Sequence, residues 1–157
     1  ISALKGIDVT IICEPGRFLT ANAGYFLTKV LYEKKNGTKR FVMVDGAMND
    51  LIRPSLYKAY HRIEALDKSG EESAADVVGP VCESGDFLAK NYPLPALEHN
   101  DLLVVHSAGA YGFGMGSNYN TRGRSAEVAV ESGKERLIRR RETFEDVIAL
   151  EREYLQD

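Results

Sequence analysis

The sequence predicts a mainly β protein: a barrel or sandwich, preceded by one β-α unit and ending in a short helix. Three observations lead there. Short runs rich in β-branched and aromatic residues recur along the chain. Turn signals built on Gly, Pro, Asn and Asp separate them. Helical spacing is confined to one stretch near the start and one at the end.

Val9-Thr10-Ile11-Ile12-Cys13 is a β-branched run and is expected to form a buried strand, with Cys13 in the core. It stops at Glu14-Pro15-Gly16-Arg17, because Pro15 lacks an N–H and disfavours helix at Glu14. Leu19 to Leu31 then reads as a helix, with Ala21, Ala23, Leu27, Val30 and Leu31 on one apolar face. Asn36-Gly37 is a hairpin signal. Strands are expected at Arg40 to Val44, Arg62 to Leu66, Ala75 to Val81 and Leu102 to Ser107, which would place His106 in the core. Ser125 to Val130 and Arg136 to Arg140 flank Glu131-Ser132-Gly133-Lys134 as a further hairpin. Thr143, with Asp146 three residues on, caps a final helix over Val147 to Leu150. The division is placed after residue 35: a terminal β-α unit over 1–35 and a β domain over 36–157. A lone β-α unit lacks neighbours to pair with, so its partners are expected in sequence outside this chain.

Composition excludes several function classes. The net charge of −3 gives no nucleic-acid footprint. The basic cluster Arg136 to Arg141 runs straight into acidic residues and reads as a solvated face. No apolar run reaches the ~18 residues of a membrane span. The start, Ile1 to Lys5, has neither an initiator Met nor a signal-peptide pattern, as expected of a fragment or a processed product. Cys13 and Cys82 make no disulfide framework, which favours a reducing, cytoplasmic setting. His61, His99 and His106 lack metal-ligand spacing.

Four motifs could carry chemistry, each with a plainer alternative. At Glu14-Pro15-Gly16-Arg17, Gly16 permits close backbone approach, free N–H groups can hold an anion, and Arg17 can fork onto a carboxylate or phosphate; a surface turn fits as well. Arg53 and Tyr57 lie four residues apart and could grip one carboxylate together, or be an exposed Arg beside a half-buried Tyr. Cys82 could be a buried hydrophobe, or an exposed thiol able to give a proton near neutral pH, with Glu83 beside it for an ammonium. Glycines 109, 112, 114 and 116 do not match a dinucleotide loop, but they would let backbone pass near a ligand with Tyr111 pointing at it; a flexible loop is the alternative.

Taken in order along the chain, these motifs have a known counterpart. Glu14-Pro15-Gly16-Arg17 followed by Ala21-Asn22-Ala23-Gly24 is the first of them. Val44 to Pro54 with its Arg53-Pro54, then Cys82-Glu83-Ser84-Gly85-Asp86, follow it. Gly109-Ala110-Tyr111-Gly112-Phe113, Asn118-Tyr119-Asn120 and Arg139 to Thr143 complete the series. The set resembles the C-terminal part of the diaminopimelate decarboxylase family, pyridoxal-phosphate (PLP) enzymes of alanine racemase-like fold.

The resemblance implies a PLP-binding (β/α)₈ barrel of which Val9 to Cys13 would be the last strand, followed by the β domain. It implies decarboxylation of meso-diaminopimelate to L-lysine in a homodimer with its active sites at the subunit interface. Glu14, Pro15, Gly16 and Arg17 would meet the PLP phosphate, and Arg17 also the substrate. Arg53 and Tyr57 would bind the distal carboxylate and Glu83 the distal ammonium. Cys82 would be the proton donor, presented to the partner's cofactor, and Tyr111 would reach PLP and substrate. The Schiff-base lysine belongs to the missing barrel, so the isolated chain is expected to be inactive. Two other readings remain: a related basic-amino-acid or carboxynorspermidine decarboxylase, which would leave Arg53 idle, and a non-catalytic dimerisation or regulatory module.

Overall fold

A computed structural model describes residues 2–155. Six strands form one sheet: β1 (Phe26–Asn36), β2 (Lys39–Val44), β3 (Ile63–Ala65), β4 (Ser73–Val78), β5 (Phe87–Leu94) and β6 (Leu102–Val105). Their spatial order is β3-β6-β1-β2-β4-β5. β1 and β2 form a long antiparallel hairpin that turns at Gly37, where φ is 57°. β2 and β4 run parallel, which forces the chain to cross over between them. Residues 45–72 make that crossover and carry a short helix, α1 (Arg53–Tyr57). The outer strands β3 and β5 come together through a side chain: Tyr92 on β5 accepts the Ile63 N–H at 2.9 Å. The sheet thus curls into a nearly closed barrel. All six strands feed one core, with Val30, Val42, Val77, Leu88, Leu103 and Ile63 among its members.

Arg40 is buried inside this shell, only 7% exposed. Its guanidinium pairs with Glu33 and donates to the Leu94 carbonyl at 2.8 Å, so the charge is both paired and hydrogen-bonded. A second hairpin, β7 (Glu127–Glu131) with β8 (Lys134–Arg139), stands apart from the main sheet, and β8 is solvated along its whole length. Two short helices follow, α2 (Phe144–Val147) and α3 (Ala149–Arg152). Thr143 caps α2: its hydroxyl accepts the Asp146 N–H while Asp146 takes the Thr143 N–H, a complete capping box. Arg140 also pairs with Asp146 and holds that carboxyl well below its ordinary range.

The opening of the chain differs from the expectation. Residues 9–13 form no strand, and Cys13 is exposed rather than in the core. A strand is stable only when its backbone groups are paired across a sheet, and here Val9 N–H bonds only locally, to Ile7 O at 3.1 Å. The helix expected over 19–31 is absent as well. A 3₁₀ turn at Ala21–Ala23 leads directly into β1. Between Phe26 and Tyr32 the residues alternate, with Thr28 and Val30 inward, and the β-branched and aromatic content suits a pleated strand. β1 therefore spans the position where the sequence places the division between two units. The strand expected to reach Val81 ends at Val78, and His106 follows β6 half-buried, with its Nε2 3.1 Å from Glu64. Among the described residues no helix is long and apolar enough to cross a membrane.

Candidate active site

Close backbone contact assembles the site. Gly109 N–H donates to Ala21 O at 3.0 Å, and Ala108 N–H to Gly24 O at 2.9 Å. A side chain on Gly109 would run into the Thr20 carbonyl, so only glycine permits this approach. The loop after β6 is thereby seated on the turn 16–24. Tyr111 takes a left-handed conformation at φ 60°, which costs of order 1 kcal/mol for a residue with a Cβ. Its hydroxyl comes to rest beside Gly16, 3.5 Å from where a Cβ would stand.

Arg53 opens α1, with Pro54 in the first turn, where a missing N–H does no harm. Spacing of i, i+4 puts Arg53 and Tyr57 on one helix face. The Arg53 guanidinium carbon lies 5.7 Å from the Tyr57 ring centre and 5.5 Å from that of Tyr111. A cleft of about 550 Å³ follows, lined by Arg17, Asn22, Arg53, Tyr57, Tyr60 and His61 among others. The structure thus brings Gly16, Arg17, Arg53, Tyr57 and Tyr111 into one neighbourhood. Glu14 and Pro15 are exposed in the irregular segment just before it.

Cys82 and Glu83 lie elsewhere, on the connection between β4 and β5, and neither lines that cleft. Both are exposed, so Cys82 is not a buried hydrophobe in this chain. The Glu83 carboxylate is pre-oriented: its Oε1 accepts the Gly85 N–H and the Ser84 hydroxyl, each at 3.1 Å. These donors, the Gly85 N–H foremost, hold the Glu83 carboxyl below the ordinary glutamate range. The connection leans on α1, since a Cβ on Gly85 would stand 2.7 Å from Ser55 Oγ.

Three site residues escaped the sequence reading. Asn49 is buried, and its amide donates to the carbonyls of Tyr119 at 2.7 Å and Ser117 at 3.1 Å, clasping the glycine-rich loop. His61 is buried at the cleft, with Nδ1 3.0 Å from His106 O. Asp86 is buried beneath the Cys82 loop. Asn49 and Asp86 lay within the stretches Val44 to Pro54 and Cys82 to Asp86; the burial of all three depends on contacts remote in sequence.

The chemistry of the two places differs. The cleft offers guanidinium and phenol donors, which suits an anion. The same donor set, with the turn at Gly16 and the Tyr111 hydroxyl beside it, fits the phosphate end of a PLP group. The exposed loop offers a fixed anionic carboxylate and a thiol. Among the described residues no cluster of His, Cys, Asp and Glu is placed to hold a metal ion.

Comparison with known proteins adds the family. Residues 10–109 match the family model described as the pyridoxal-dependent decarboxylase C-terminal sheet domain. Diaminopimelate decarboxylase of Campylobacter jejuni is 59% identical over 156 residues, which are 99% of this chain and 39% of that protein. The crystal structure of diaminopimelate decarboxylase from Helicobacter pylori complexed with L-lysine superposes with a TM-score of 0.88 at 52% identity, covering 98% of this chain and 38% of that one. A lysine/ornithine decarboxylase from Vibrio vulnificus, complexed with cadaverine, reaches a TM-score of 0.67 at 25% identity over 79% of this chain and 34% of its own. The chain spans about two fifths of the length of the curated relatives it matches. The chain belongs to the pyridoxal-dependent decarboxylase family and carries its C-terminal sheet domain.

Proposed function

We propose that the complete protein decarboxylates meso-2,6-diaminopimelate to L-lysine and CO₂, in the cytoplasm, as a step of lysine biosynthesis. This chain supplies the C-terminal part of that enzyme and completes its active sites at a homodimer interface. Residues ahead of Phe26 belong with the PLP-binding barrel that the rest of the protein provides, and the β domain begins at β1. The isolated chain is inactive, because the lysine that carries the cofactor lies outside it.

The observation that carries this reading is the convergence of Arg17, Arg53 and Tyr57 on one cleft, with Tyr111 against Arg53. Decarboxylation of a simple basic amino acid calls for no distal carboxylate clamp; diaminopimelate does. The 59% identity to a diaminopimelate decarboxylase, against 25% to the lysine/ornithine enzyme, supports the same choice.

Each residue has a task. Bound PLP would take up the electron pair left as CO₂ departs. Glu14 to Arg17 form the turn against the phosphate, with the Tyr111 hydroxyl beside it. Arg17 and Arg53 with Tyr57 hold substrate carboxylate oxygens and so fix its orientation. Glu83 holds the distal ammonium. Cys82 delivers a proton from its Sγ to the carbon that lost CO₂.

Steady-state turnover of the complete protein tests the substrate. Meso-diaminopimelate should be turned over with kcat/KM at least ~10²-fold above that for lysine, ornithine or arginine. Equal or better rates with any of the three would overturn the assignment. The Glu83 hydrogen bonds give a pH prediction. A carboxyl held below its ordinary range stays anionic as pH falls, so ammonium binding persists into acid. Ser84→Ala removes one supporting donor and lets the Glu83 pKa rise toward the ordinary value. The acid limb of the kcat/KM profile for diaminopimelate should then move to higher pH, while the basic limb stays in place.

A further inference from the structure

Cys82, Glu83 and Ser84 are exposed, yet one buried acid ties their loop down. Asp86 is 5% exposed. Its Oδ2 accepts the Val81 N–H at 2.6 Å, immediately before Cys82. Its Oδ1 reaches across to the Met48 N–H at 2.7 Å. Met48 sits in the turn that feeds α1, where Asp50 N–H bonds Ala47 O at 2.9 Å and the Asp50 carboxylate takes the Ala47 N–H at 3.0 Å. The loop's own backbone closes on the same residue, with Gly79 N–H to Asp86 O at 3.1 Å and Asp86 N–H to Glu83 O at 3.0 Å. Gly79 has no side chain where the carboxylate lies, and any Cβ there would overlap it.

We infer that Asp86 is a positioning residue that sets the Cys82–Glu83 loop against the turn carrying Arg53 and Tyr57. A buried carboxylate on two backbone N–H groups is stiff, because moving either segment strands a desolvated charge. The residue touches neither substrate nor cofactor; it acts through the two segments it joins. The family resemblance implies that Cys82 is presented to the partner's cofactor, so that Arg53 and Cys82 of one chain serve different active sites. Asp86 therefore joins the carboxylate clamp of one site to the proton donor of the other. The inference deepens the proposed function and rests on it.

The test uses the complete, PLP-loaded protein and a double-mutant cycle. Asp86→Asn keeps the shape but places an amide where an oxygen faced an N–H. It should lower kcat for diaminopimelate by ~10-fold or more. In a Cys82→Ala background the same change should cost less than ~2-fold in kcat, because the proton donor it positions is already gone; displacement of Glu83 shows in KM. Amide hydrogen exchange supplies a readout independent of turnover. Residues 79–87 should exchange at least ~10-fold faster in Asp86→Asn, with the core strands β1 and β6 unchanged.

Equal kinetic costs in both backgrounds, or faster exchange throughout the sheet, would make Asp86 a stability residue and overturn the inference. A Cys82→Ala variant as active as wild type would sink the proton-donor reading and this inference with it, and the single variant alone would reveal that. Should Asp86→Asn fail to fold, Gly79→Ala pushes the Asp86 carboxylate off the same bonds, since a Cβ there would overlap Asp86 Oδ2. It must show the same non-additivity, and additive costs there overturn the inference equally.

Discussion

Cys82→Ala in the complete protein should lower kcat for diaminopimelate by at least ~10²-fold, the usual scale for removing a positioned acid. KM should change by less than about 3-fold, since in the proposed role the thiol acts on the reacting carbon and carries no binding charge. The variant is expected to fold, because Cys82 is exposed and its loop is held by backbone and Asp86 contacts that leave the thiol out. Production of L-lysine under steady state measures the loss. Cys82→Ser should recover little, since a hydroxyl is a far weaker acid than a thiol. An undiminished rate in Cys82→Ala would remove the residue from the mechanism.

Arg53→Met has the second-largest expected effect, and its kinetic signature differs. The Arg53 guanidinium lies within cation–π distance of both the Tyr57 and Tyr111 rings, which favours one placement for it. A planar fork in a fixed position suits two-point contact with a carboxylate. Met preserves the apolar stem and removes the fork, so kcat/KM for diaminopimelate should fall about 10²-fold, mostly through KM, the scale of a lost charged hydrogen-bond pair. Turnover of lysine, which lacks the distal carboxylate, should be unaffected by the change. Arg53→Lys should recover only part of the loss, because a point charge on a flexible stem cannot replace the fork.

The parts legible in sequence were those whose cause is local. The hairpin at Glu131 to Lys134 and the Thr143–Asp146 cap follow from turn and capping chemistry within a few residues. β2, β4 and β6 announce themselves through runs holding paired or alternating valines, and β3 falls within the expected Arg62 to Leu66, although the ends differ by a few residues. β1 was hidden because Ala21, Ala23, Leu27, Val30 and Leu31 happen to fall at helical intervals. The decision went to pairing: Phe26 to Lys29 match Val105 to Leu102 on β6, a partner more than seventy residues away. β5 left no clean alternation, since Asn91 turns to φ 52° inside it and the pairing with β4 slips there.

The candidate site divides in the same way. Residue types at Arg17, Arg53, Tyr57, Cys82, Glu83 and Tyr111 each had a plainer alternative one by one, and it was their order along the chain that pointed to a site. Their grouping was not legible: that the first two arginines share a cleft while Cys82 and Glu83 stand on a separate loop depends on the crossover between β2 and β4. The burial of polar residues such as Asp86 and Arg40 was not legible either. A charge is recognised as buried only when its partners, here Met48 N–H and the Leu94 carbonyl, arrive from distant sequence.

Subunit mixing tests the completion of each site across a dimer most directly. Cys82→Ala and Arg53→Met chains of the complete protein would be unfolded together and reassociated at equal concentration. If Arg53 serves its own chain's site and Cys82 the partner's, each mixed dimer holds one intact site and one doubly impaired site. Half the dimers are mixed, so activity measured with diaminopimelate well below KM should return to about a quarter of wild type, far above either variant alone. Activity no higher than the average of the two variants would contradict it, for it would place both residues of one chain in the same active site.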